Sequence, residues 1–301
     1  MKKKLRQRLN FGFALLMIAM MVIVVGCGKT ATPTAPAPQT TETPTPAKPD
    51  LILATTTSTQ DSGLLAVLIP VFEKKTGYKV KTVAVGTGAA LAMGEKGDAD
   101  VLLTHAFTSE KKLVDNKTAA NYQLVMHNDF VIVGPSTDPA KVKETKTAVD
   151  TLKAINASPS IFVSRGDDSG TDKMEKALWK KAAITPTEAK YQSTGQGMGQ
   201  TLTIASEKAA YTLTDRATYL STKKNLKLDI LLEGETSLLN IYHVMQVNPE
   251  KFPKVNAEGA KAFVDFMVNA DTQKLIGSFG KDQYGQALFF ADAGKKMEDL
   301  K

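Results

Sequence analysis

Apolar and polar positions alternate between two periods along most of this chain. Short apolar runs of strand length, such as Leu51-Ile52-Leu53-Ala54 and Ile161-Phe162-Val163, lead into polar turns and then into stretches of helical period. The pattern predicts a strand at 51–54, then a helix over 62–75 that contains Pro70 and stops at Thr76-Gly77. A strand over 79–85, a helix over 89–94, a strand over 100–103 and a helix over 109–116 follow, then strands at 123–126 and 130–133. After Gly134-Pro135 the pattern repeats, with helices over 147–155, 172–182 and 198–208 alternating with strands over 160–163, 189–193 and 210–213. Strands over 228–232 and 242–247 and helices over 256–269 and 271–279 complete the series. This alternation predicts an α/β fold with mostly parallel sheets, and there is no repeat of solenoid period.

Ligands of open α/β sheets lie at the carboxyl ends of strands, and the polar turns at 55–58, 86–88, 164–171, 194–199 and 214–216 fall there. Thr55-Thr56-Thr57-Ser58 links a strand to a helix start, which supplies hydroxyls and free backbone N–H groups at the positive end of a helix. More than 100 residues later, Ser164-Arg165-Gly166-Asp167-Asp168-Ser169-Gly170-Thr171 repeats the arrangement and adds an arginine. The two turns are expected to face each other across a cleft and hold a small oxyanion. Candidate donors are Thr56, Thr57, Ser58, Thr87, Arg165, Ser169 and Thr171, with Asp61, Asp168, Thr214 and Asp215 behind them. Arg165 is expected to contribute most, since a charge-assisted hydrogen bond is about twice as strong as a neutral one.

Composition removes other chemistries. Gly195-x-Gly197-x-Gly199 lacks dinucleotide-site spacing, and Gly86-Thr87-Gly88 lacks the lysine of a phosphate-binding loop. His105, His127 and His243 have no metal-ligand spacing and read as structural residues. In Gly166-Asp167-Asp168-Ser169-Gly170 the serine sits one place late for a nucleophile elbow, so neither an enzyme nor a cofactor is expected.

Residues 1–27 are read as a lipoprotein signal peptide. Lys2, Lys3, Lys4, Arg6 and Arg8 precede an uncharged run from Phe11 to Val25, short for a membrane-spanning helix, and a small residue then precedes Cys27. The resemblance to a bacterial lipobox implies cleavage before Cys27 and lipid on its sulfur. Cys27 is the only cysteine, so no disulfide or cysteine metal site is expected. Residues 28–49 carry six prolines among Thr and Ala and form a tether, which at about 3.1 Å per residue reaches on the order of 60 Å. The leader holds five cations and no acids, so a formal charge of +7 falls to +2 without it, and no nucleic-acid partner is inferred.

Several segments together resemble the tungstate-binding proteins of ABC importers, the TupA-type family. They are Ala54 to Leu65 (ATTTSTQDSGLL), Val85-Gly86-Thr87-Gly88, Gly97 to Leu103, Asn128 to Pro135, Val163 to Thr171, Thr194 to Gly199 and Tyr211 to Arg216, followed by Leu238-Leu239-Asn240 and Val247-Asn248-Pro249. The match runs over about 51–290 in the family's order, with departures after His105 and at Asp172, where the family commonly has histidine. It implies a type II periplasmic-binding-protein fold of two α/β lobes, residues 50–133 plus 238–301 and residues 134–237, with the ligand cleft between them. It also implies a monomeric, lipid-anchored protein on the extracytoplasmic face that delivers tungstate or molybdate to an ABC permease and its ATPase. Both ions are tetrahedral dianions without a proton at neutral pH, so their site needs donors only. Hydrogen phosphate would need an acceptor. If Asp61, Asp167, Asp168 or Asp215 points inward, phosphate is favoured; if all cap helices or pair with arginines, fully deprotonated oxyanions are favoured. A phosphate- or sulfate-binding protein of the same fold, or an oxyanion sensor, therefore stays open at the level of sequence.

Overall fold

The computed structural model describes residues 45–300. Cys27, the signal segment and most of the tether lie outside the described residues. No helix among the described residues is long and apolar enough to cross a membrane.

The chain opens with β1 (Asp50–Thr56), α1 (Thr57–Asp61), α2 (Leu64–Thr76), β2 (Lys79–Val85), α3 (Thr87–Lys96), β3 (Val101–Thr104) and α4 (Phe107–Asp115). The long β4 (Ala119–Pro135) leads to α5 (Ala148–Ala157), β5 (Phe162–Ser164), α6 (Gly170–Lys181), β6 (Tyr191–Ser193) and α7 (Met198–Glu207). Next come β7 (Thr212–Asp215), α8 (Arg216–Thr222), β8 (Leu228–Leu232) and β9 (Leu239–Val247). The chain then finishes with α9 (Ala257–Val268), α10 (Ala270–Ser278), α11 (Lys281–Tyr284) and β10 (Phe290–Ala291).

One sheet has the order β10-β4-β9-β3-β1-β2, and β7 and β8 pair with the far half of β4. β4 changes partners within its length. Residues from Ala119 to Asp129 face β9, whereas Phe130 to Val133 face β7 and Ile132 to Pro135 face β8. The exchange at Asp129/Phe130 lies a few residues before the 133/134 boundary read from sequence.

The sheets are mixed, which corrects the expectation of mostly parallel pairing. β1–β2, β1–β3 and β5–β6 are parallel, while β4 and β9 run antiparallel to each of their partners. The two short strands expected at 123–126 and 130–133 are one strand. His127-Asn128-Asp129 reads as a polar break, but each side chain has a tertiary partner. His127 pairs with Asp292 at 2.6 Å, Asn128 accepts from Asn240 at 2.8 Å, and Asp129 accepts from Arg216 at 2.7 Å.

Around the first turn, Thr55 and Thr56 finish β1, and Thr57 already opens α1. The helix expected over 62–75 begins instead at Leu64, after Gly63 at φ 83°, and runs through Pro70. Its end at Gly77, left-handed at φ 77°, agrees with the sequence. α8 was not foreseen.

Buried apolar residues lie on both faces of the sheets. Leu51, Leu53 and Val244 pack with Phe72 and Phe263 of α2 and α9, while Ala54, Leu102 and Met245 pack with Ala90 and Leu91 of α3. In the far half of β4, Phe130 and Ile132 pack with Trp179, and Val131 and Val133 pack with Met198 and Leu202. This period-2 alternation within a wholly apolar run is what a strand covered by helices on both sides requires.

Candidate functional site

The carboxyl ends of β1, β2, β5, β6 and β7 bring the helix starts of α1, α3, α6, α7 and α8 together. Their caps are Thr56, Gly86, Ser169, Gly197 and Asp215. Direct bonds join these starts. The Gly170 N–H donates to Thr87 Oγ1 at 2.7 Å, Gly199 N–H to Asp61 Oδ2 at 3.1 Å, and Thr218 Oγ1 to the Ser58 carbonyl at 3.2 Å. The approach at β2 requires glycine, since a Cβ on Gly86 would sit 2.6 Å from the Asp167 carbonyl oxygen.

Hydroxyl groups here are used as acceptors within the protein, which leaves their protons to give. Thr56 Oγ1 accepts from Thr59 N–H, Thr57 Oγ1 from Arg165 Nη2, Thr87 Oγ1 from Gly170 N–H and Ser169 Oγ from Asp172 N–H. A hydroxyl whose lone pair is engaged still has one O–H to donate. Thr171 Oγ1 is buried without any partner.

Arg165 is the centre of the arrangement. Only 1 % of it is exposed, yet its Nε and Nη1 have no partner in the protein. Its Nη2 donates to Thr57 Oγ1 at 2.7 Å and to Asp167 Oδ2 at 2.5 Å. A buried donor without a partner costs about 1–3 kcal/mol, more when charged, so such a cluster marks a place where something else accepts. The helix starts add positive potential, each equivalent to about half a charge.

The acids around the site are mostly engaged elsewhere. Asp61 accepts from α7, and burial raises its carboxyl above the usual range. Asp167 pairs with Arg165 and accepts from Ser169 N–H, and Asp168 pairs with Lys173 at the exposed rim. Asp215 Oδ1 caps α8 through Thr218 N–H at 2.8 Å. Its Oδ2 is buried without a partner, and burial pushes the carboxyl up to about 6. Thr214 Oγ1 is buried and turned to the neighbouring Asp215 carbonyl.

Sequence reading gave His105 a structural role, and the structure sets it directly after β3, against the hydroxyl turn. Its Nε2 lies 3.0 Å from Thr56 Oγ1 and 3.2 Å from Ser58 Oγ, and its Nδ1 lies 2.7 Å from Asn240 Oδ1. Burial lowers its pKa to about 4, so the ring is neutral at physiological pH. The signal available was position, since His105 stands at the carboxyl end of a strand next to β1, as the polar turns do.

Residues 32–271 match the PBP superfamily domain. Tungstate-binding protein TupA of Peptoclostridium acidaminophilum is 50 % identical over 250 residues, covering 82 % of this chain and 87 % of that protein. Tungstate-binding protein TupA of Campylobacter jejuni is 41 % identical over 246 residues, covering 80 % and 90 %. In the crystal structure of the tungstate ABC transporter from Geobacter sulfurreducens, a chain 48 % identical superposes with a TM-score of 0.71, covering 76 % of this chain and 98 % of that one. The chain belongs to the periplasmic-binding-protein superfamily and, within it, to the TupA family of tungstate-binding proteins.

Proposed function

We propose that this protein is the extracytoplasmic solute-binding component of an ABC importer, and that it captures tungstate, with molybdate as the closest competitor. It binds its ligand without turning it over. Thr56, Thr57, Ser58 and Thr87 form one half of the site, and Arg165, Ser169 and Thr171 the other. The observation that carries this reading is Arg165, buried to 1 % exposure with Nε and Nη1 unpartnered, beside the unpartnered Thr171 hydroxyl. All four acids that would favour a protonated ligand pair with a cation or receive a backbone N–H, and only Asp215, which caps α8 with Oδ1, keeps a buried oxygen without a partner. That balance supports a fully deprotonated dianion over hydrogen phosphate.

On this reading the lobes divide where β4 changes partners and again between β8 and β9, and the anion draws them together by contacts that only the closed form makes. Lipid on Cys27 and the proline-rich tether keep the monomeric protein beside its permease.

Calorimetric titration with tungstate, molybdate, sulfate and phosphate tests the reading. Tungstate should bind tightly, with sulfate and phosphate weak or silent. Tighter binding of phosphate than of tungstate would overturn it.

A further inference from the structure

Behind the hydroxyls of Thr56 and Ser58 lies a chain of amides that orders a single proton. A carboxylate oxygen of Asp215 faces Asn128 Nδ2 at 3.4 Å, so Asn128 presents its Oδ1 to Asn240 Nδ2 at 2.8 Å. Asn240 Nδ2 also donates to Tyr242 Oη at 3.0 Å, which turns Asn240 Oδ1 to His105 Nδ1 at 2.7 Å. A carbonyl oxygen only accepts, so Nδ1 carries the proton and Nε2 is a bare lone pair. That lone pair faces Thr56 Oγ1 and Ser58 Oγ. Thr56 Oγ1 accepts from Thr59 N–H and lies 2.7 Å from Thr59 Oγ1 and 3.1 Å from Ser58 Oγ, so one of the two hydroxyls facing Nε2, Thr56 or Ser58, gives its proton to that lone pair. The other hydroxyl of the pair is left to donate to a ligand.

We propose that His105, held in its Nδ1–H form by Asn240, is a positioning residue of the oxyanion site that sets which hydroxyl donates and selects against protonated ligands. The inference rests on the oxyanion reading above and deepens it. An acceptor at this wall would welcome the proton of hydrogen phosphate. Here the one lone pair facing the hydroxyl turn is already filled by a hydroxyl of the protein, so a ligand proton meets no acceptor there. Tungstate and molybdate carry no such proton.

The charged and titratable groups facing His105 are few. Glu110 and Arg165 act on it with opposite sign, the Tyr242 ring stacks on it at 4.7 Å, Asp215 reaches it through the amides, and Lys173 lines the cavity of about 260 Å³ on its outer side. Gly170 leaves room for the ring, since a Cβ there would lie 2.8 Å from it.

Two measurements on the protein test the proposal. The first is the ¹⁵N signature of His105, identified among the three histidines by its loss in His105→Gln. The neutral Nδ1–H form should persist between about pH 6 and 9 without ligand, and at pH 7–9 with tungstate bound. An Nε2–H or doubly protonated ring in the tungstate complex would overturn the proposal. The second compares tungstate with phosphate by calorimetry at pH 7.5. His105→Phe releases the Thr56 and Ser58 hydroxyls from Nε2, so that one can turn and accept a ligand proton, and the ratio of the tungstate to the phosphate affinity should fall at least tenfold. His105→Gln, whose amide can donate to Asn240 and accept from Thr56, should keep the ratio within threefold. An unchanged ratio in folded His105→Phe sinks this inference while leaving the tungstate reading intact. A wild-type protein that ignores tungstate sinks the reading itself.

Discussion

Arg165→Ala is the perturbation whose size follows most directly from the structure. The guanidinium presents Nε and Nη1 to the site as buried, unpartnered, charged donors. A hydrogen bond to a charged group contributes about 1.5–3 kcal/mol. Two such bonds lost amount to about 3–6 kcal/mol, or roughly two to four decades of affinity at about 1.4 kcal/mol per decade. A second effect adds to the loss. Asp167, 13 % exposed, would face the dianion without its partner. Repositioned N–H groups offset part of the loss, so the expected result is a weakening of at least tenfold. The assay is calorimetric titration with tungstate on a variant whose thermal unfolding remains cooperative. Asp167→Asn separates charge from position. It removes the negative charge and keeps an oxygen for Arg165, so tungstate should bind as well as, or better than, in wild type. A folded Arg165→Ala protein with affinity within threefold of wild type would take Arg165 out of the site and leave its unpartnered nitrogens without an explanation.

Other positions test the proposed closure and the packing around it. Gly86→Ala introduces a Cβ 2.6 Å from the Asp167 carbonyl at an ordinary backbone angle, φ −61°. Tungstate affinity should drop at least tenfold with the ligand-free melting temperature nearly unchanged, and unaltered affinity would mean that this approach is not needed for binding. Arg216 holds Asp129 just before the β4 exchange and Glu233 just after β8, at 2.5–2.7 Å. Truncation to Met should destabilise the protein by about 1–3 kcal/mol in urea unfolding, the cost of leaving a part-buried acceptor unsatisfied; a change under about 0.5 kcal/mol, within the scatter of neutral surface substitutions, would show that the ion pair is idle. Glu175 is buried against Tyr191 Oη at 2.6 Å, and burial raises its carboxyl from 4.5 to about 7. A raised carboxyl favours the fold below its unfolded pKa and loses that contribution as pH rises toward 7. Glu175→Gln should therefore gain on wild type between pH 5 and 8, by at most about 3 kcal/mol; a gap that stays constant with pH would contradict the assignment.

The fold was legible wherever period and punctuation coincided. β2, α7 and the stop at Gly77 stand where alternation and a glycine placed them. Reading failed where a polar residue had a distant partner. Asn128 is fully buried in the middle of β4, because Asn240 lies 112 positions away in sequence and opposite it in the sheet. Nothing local distinguishes such an asparagine from one in a turn. The contact of His105 with the hydroxyl turn was hidden for the same reason, since its orientation depends on Asn240, 135 positions away. Thr56, Thr57, Thr87 and Ser169 were visible as hydroxyls at strand ends. That each accepts an N–H within the protein is a fact of tertiary geometry.

If the two halves close on an anion as proposed, those donors make closure and binding one event. Without an anion, the closed arrangement buries Arg165 Nε and Nη1 and Thr171 Oγ1 away from water with nothing to accept from them. At about 1–3 kcal/mol for each such group, this strains the closed form by several kcal/mol. Against that cost stand the bonds that join the two halves directly, Arg165 to Thr57, Gly170 to Thr87, Gly199 to Asp61 and Thr218 to Ser58. Two of these are neutral, at about 0.5–1.5 kcal/mol each, and two involve an ionisable group, at about 1.5–3 kcal/mol each, so together they roughly cancel the cost. A balance near zero lets the ligand decide. A dianion that accepts from every orphaned donor removes the cost and adds charge-assisted bonds, and its differential affinity for the closed state is then several kcal/mol. A protein built with its donors already satisfied would stay closed whether loaded or empty, and a permease would have no shape by which to tell the two apart.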